Sequence, residues 1–71
     1  MTLYQISFTY RADAAVLRTR ISELRAAARA AQDREEAERL KRRIAELQVL
    51  RRQSSELAEL VLQEALLEYG K

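Results

Sequence analysis

The chain has 71 residues, with 13 Lys or Arg against 11 Asp or Glu and a formal net charge of +2. So short a chain holds at most one domain and buries only about 60% of the surface its unfolded form exposes, which leaves a solitary core marginal. Cysteine and histidine are absent, which excludes disulfides, the ordinary zinc sites, and the commonest general base and thiol nucleophile; oligomerisation remains as the device by which so small a domain gains stability.

The first ten residues read differently from the rest. Tyr4, Ile6, Phe8 and Tyr10 alternate with Gln5, Ser7 and Thr9, a period of two rich in aromatic and β-branched residues, which predicts a strand arm over residues 2–10. No second strand is visible, so the ladder partner has to come from another chain. The simplest source is the same segment of a second copy, antiparallel across a two-fold axis. The other readings are a disordered or helix-continuing tail, and addition of the arm to the sheet edge of a different protein. The segment lacks a basic start and a long apolar run, so it does not read as a secretory signal, and no apolar stretch approaches the roughly 18 residues of a membrane span. A cytoplasmic chain is expected.

From Asp13, a candidate N-cap, the pattern is helical, with no proline and a single glycine, Gly70. Leu17, Ile21, Leu24, Ala28 and Ala31 recur at steps of four and three, which predicts a first helix over residues 13–31 with an apolar seam. Continuing that seam would bring in Glu35 and Glu38, whereas a new one starts at Ala37, Leu40, Ile44 and Leu47. The slip in phase falls on Asp33-Arg34-Glu35-Glu36, where Asp33 can cap a new helix and Glu36 stands three residues on, as in a capping box. A tight turn at Gln32 and Asp33 and a second helix over residues 34–69 follow, in preference to one long helix with a phase slip or a further break at Ser54-Ser55. Gly70 is the expected stop. The expected fold is therefore mainly all-α: one domain, an antiparallel helical hairpin or coiled coil whose short N-terminal β-strand pairs between chains.

The second helix has more apolar surface than one neighbour can cover. Its seam continues through Arg51, Ser54, Ala58, Val61, Leu62, Ala65 and Tyr69, and a second strip runs along Leu50, Leu57, Leu60 and Leu67. Tyr4, Ile6, Phe8 and Tyr10 of the arm, with Leu57, Leu60, Val61 and Leu67, form the expected oligomer interface of a homodimer, or of a tetramer made of two such dimers. The charge is also uneven: residues 11–52 hold 12 basic and 7 acidic side chains, for +5, and residues 53–71 hold Lys71 against Glu56, Glu59, Glu64 and Glu68, for −3. The two blocks can attract each other between chains, or remain two solvated faces.

Catalysis is not expected. Ser7, Ser22, Ser54 and Ser55 have no base constellation beside them, the sole glycine precludes a phosphate loop, and no cofactor or metal motif is present. Glu35 with Arg39 and Glu38 with Arg42 read as surface pairs at the favourable i, i+4 spacing. The alternative to a self-associating interaction or scaffold protein is a small nucleic-acid-binding regulator. Eleven of the basic residues are arginine, suited to bidentate phosphate contact; Arg18, Arg25, Arg29, Arg43 and Arg51 would carry it on a hairpin that resembles the Rop-type helical dimer in shape. A membrane-surface helix is opposed by the acidic second half, so no membrane partner is expected.

Leu17-Arg18-Thr19-Arg20-Ile21-Ser22-Glu23-Leu24 and Leu40-Lys41-Arg42-Arg43-Ile44-Ala45-Glu46-Leu47 both read Leu-basic-x-Arg-Ile-x-Glu-Leu. This pairing of units, from Leu17 to Leu60, resembles uncharacterised small bacterial helical-hairpin proteins. The resemblance implies two helices packed side by side with equivalent seams; it implies no activity and no functional residue.

Overall fold

The computed structural model describes residues 1–69. Two α-helices, α1 (Leu3–Ala30) and α2 (Arg34–Tyr69), pack against each other as an antiparallel hairpin, a rod of 58 × 15 × 14 Å. Each helix is long enough to present one continuous stripe to the other, which is the condition for a stable helical pair in so short a chain.

The turn forms where the phase slips. Ala31 leaves the helical region (φ −63°, ψ 130°) with its N–H on the Ala28 carbonyl at 3.4 Å. Asp33 then caps α2: its Oδ1 accepts from the Glu35 N–H at 3.0 Å, and its carbonyl takes the first helical bond, from Ala37, at 3.0 Å. The expected reciprocal bond from the Glu36 side chain is not among those of the described residues. Glu35 and Glu36 lie in the first turn of α2 and Arg29 in the last turn of α1, signs that suit the helix dipoles. The expected glycine stop at Gly70 lies outside the described residues.

The strand arm expected over residues 2–10 is not seen; Thr2 is the N-cap and residues 3–10 are the first turns of α1, and with the strand goes its pairing between chains. Two signals oppose the alternation of Tyr4, Ile6, Phe8 and Tyr10. The first is a capping box: Thr2 Oγ1 accepts from the Gln5 N–H at 3.1 Å while Gln5 Oε1 accepts from the Thr2 N–H at 2.8 Å, so the helix starts with its first donors satisfied. Asp13, the expected N-cap, is an exposed residue in mid-helix. The second is the seam, which runs backward from Leu17 without a break through Ala14, Tyr10, Ser7 and Leu3 at steps of three and four. Period 3.5 prevails because every residue it selects is buried or half-buried, whereas the alternating set includes the exposed Phe8.

The core is in the half nearest the turn. Ile21, Leu24, Ile44 and Leu47 are buried together, with Leu17, Ala28 and Leu40 packed on them. Towards the open end the buried positions change character to Ser7, Ala14, Ala58 and Ala65. Small side chains allow the helix backbones to approach, and Ser7 shows how closely: its Oγ donates across the interface to the Ala58 carbonyl at 3.2 Å. Thr9 and Thr19 instead donate to the carbonyls four residues back in their own helix.

Candidate interaction surfaces

Each helix carries a row of residues on either flank of its seam, and in an antiparallel pair like flanks meet. One flank brings Tyr4, Arg11, Arg18 and Arg25 of α1, seven residues apart, to Gln48, Ser55 and Tyr69 of α2. At its open end Tyr4 stacks on Tyr69, with ring centroids 5.6 Å apart and planes at 25°. Nearer the turn the flank forms a cleft of ≈ 280 Å³ lined by Arg18, Ile21, Arg25, Gln48 and Arg51. The adjoining cleft is lined by Arg11, Ala14, Arg18, Ser55, Ala58 and Glu59.

Three of the five predicted phosphate-contact arginines thus converge, and two do not. Arg43 pairs with Glu46 at 3.0 Å, and Arg29 stands in the last turn of α1. Arg11 and Gln48 join the arginine flank and were not predicted; Arg11 was legible as the residue seven before Arg18. Among the described residues the ion pairs are Arg20–Glu23, Glu38–Lys41 and Arg43–Glu46, all on exposed i, i+3 pairs, each of little energetic weight. The expected Glu35–Arg39 and Glu38–Arg42 pairs are not among them. Arg18, Arg25 and Arg51 have no carboxylate partner among the described residues, and the first cleft has none in its lining.

The opposite flank is apolar. Val16 and Leu17 meet Leu50 and Ser54 there, beside Asp13, and Leu57, Leu60 and Leu67 extend the same side of α2 toward the open end. With the hairpin closed, Leu60 is still 61% and Leu67 66% exposed. The eight residues expected to form one oligomer surface are therefore divided. Leu57, Leu60 and Leu67 are on this strip; Val61 and Tyr10 are half-buried in the hairpin's own seam; Tyr4 is on Tyr69, Ile6 is half-buried, and Phe8 is exposed on the arginine side of α1.

Among the described residues no group of three or more acidic, Cys or His side chains is placed to hold a metal ion, and no helix is long and apolar enough to cross a membrane. Compared with protein-family models, curated proteins and solved structures, the chain has no match.

Proposed function

We propose that this chain is a non-catalytic helical interaction protein that works as an assembly of its own copies, at least a dimer. The observation that carries this is the leucine strip of α2, which stays in water after α1 has covered everything it can reach. The rod exposes 5518 Å², against about 4500 Å² for a compact monomer of 8.2 kDa; burying a shared apolar face is how short chains close such a gap. A cytoplasmic setting fits a chain without cysteine. Light scattering is expected to give at least twice the mass of one chain at micromolar concentration, and the double variant Leu60→Gln, Leu67→Gln to return single chains that keep their helical circular dichroism. A wild-type chain that is cooperatively folded and monomeric at every concentration rejects the proposal.

A second reading has its own observation. The cleft of Arg18, Arg25 and Arg51, whose lining contains no carboxylate, suits a phosphate backbone, and would make the assembly a small nucleic-acid-binding regulator. Replacing all three by Gln is expected to abolish a low-salt mobility shift with mixed RNA and DNA while leaving the molar mass unchanged. Absence of any shift by the unaltered protein at low salt removes this reading.

A further inference from the structure

Resting on the self-association proposed above, we infer that the occupant of the leucine strip is the same strip of a second copy, laid antiparallel and centred between Ala58 and Glu59. Along α2 the residues of this side are Leu50, Gln53, Leu57, Leu60, Glu64 and Leu67. Read backward, the series is the same in its leucines, with Gln and Glu exchanged. Two copies laid antiparallel about that centre set Leu50 against Leu67 of the second copy and Leu57 against Leu60, so every leucine of one strip meets a leucine of the other. Gln53 then meets Glu64 of the second copy, an amide donor facing a carboxylate.

Charge selects this direction over the parallel one. In register and parallel, Glu64 would face Glu64 of the second copy inside the strip, and two like charges brought together out of water are strongly unfavourable. The surrounding blocks act in the same sense. Arg51 and Arg52 lie before the centre, and Glu64 and Glu68 lie after it. Antiparallel docking brings Arg51 and Arg52 level with positions 66 and 65 of the second copy, between its Glu64 and Glu68; parallel docking lays each of these charges on its own like.

The register also fixes a shape. The centre lies about 37 Å along α2 from Arg34 but only about 16 Å from Tyr69, so the two rods overlap by their open ends and the two Arg34 residues of the dimer stand about 74 Å apart, with a turn beyond each. A dimer of fully overlapping hairpins would keep the 58 Å of one rod.

The absence of cysteine makes the register directly testable. Gln53→Cys and Glu64→Cys are both at exposed positions, and retained helicity confirms that each variant folds. Under mild oxidation each variant alone is expected to stay uncrosslinked, because its two copies of the thiol are about 16 Å apart along the interface, beyond disulfide reach. An equimolar mixture is expected to give the covalent heterodimer, and small-angle scattering of the unaltered protein a maximum dimension of at least about 74 Å. Crosslinking of each variant with itself, or a dimer by mass that crosslinks in neither experiment, overturns the antiparallel register while leaving self-association standing. A single-chain mass for the unaltered protein overturns both.

Discussion

Between Leu17 and Leu47 the two helices meet through leucine and isoleucine; between Ser7 and Ala65 they meet through serine and alanine. The same 3.5-residue stripe thus does two different things along one rod. Near the turn it places large aliphatic side chains inside, and the outer faces there are largely arginine, lysine and glutamate. Toward the open end its fully buried side chains are small, it draws the backbones together as the Ser7–Ala58 hydrogen bond records, and it leaves Leu57, Leu60, Leu66, Leu67 and Phe8 outside. A helix pair has only so much apolar surface to hide internally, so where alanine fills the inside, leucine is left for another surface. The first region makes the hairpin; the second makes the hairpin adhesive.

The comparison can be broken most severely in the aliphatic region. Leu47→Ala is expected to cost about 2–5 kcal/mol, comparable to the whole stability of so small a domain, so urea unfolding monitored by helical circular dichroism should show most molecules unfolded at low denaturant. A medium-sized effect is expected from the opposite change in the other region. Ala58→Leu overpacks the close approach and is expected to cost about 1–3 kcal/mol. Here the loss should be local: fast amide exchange over residues 3–14 and 58–69, with amides around Ile21 and Ile44 still protected. If both substitutions instead abolish protection uniformly, the two regions are one cooperative unit and the distinction fails. The smallest effect belongs to the end cap. Thr2→Ala removes one side of the capping box and is expected to cost about 1 kcal/mol, read as fraying of the first turn by exchange at Gln5 and Ile6.

How much of this was legible follows the same division. The turn was readable because the seam slips phase at a residue that can cap, Asp33, and the aliphatic seam because Leu and Ile announce themselves. The first turns of α1 were misread as a strand because there the seam residues are Ser7, Tyr10 and Ala14: the most buried are small or polar, and the alternating aromatics beside them carry the stronger local signal. The Thr2-x-x-Gln5 pair is a helix-start cue that stands in the sequence, unused in the strand expectation; β-propensity, on which that expectation rests, describes fit to a half-buried surface more than a backbone preference. The leucine strip on α2 was visible from spacing alone. The arginine cleft was visible only in part, since which arginines converge depends on the flank each takes once the helices are paired, and that requires the true register of α1.

The placement of the single turn has a kinetic consequence. Because the chain folds back once, residues that pack on one cluster near the turn are close in sequence, as Ala28 and Leu40 are, while Tyr4 and Tyr69 are separated by nearly the entire polypeptide. Direct closure at the far end would cost about 1.5 kcal/mol more loop entropy than closure near Asp33, so the pair should zip from the turn outward, each formed layer shortening the gap for the next. The aliphatic layers are then the nucleus and the alanine layers the last to close. In stopped-flow refolding, Leu47→Ala should slow the folding limb, whereas Ala58→Leu should chiefly quicken unfolding.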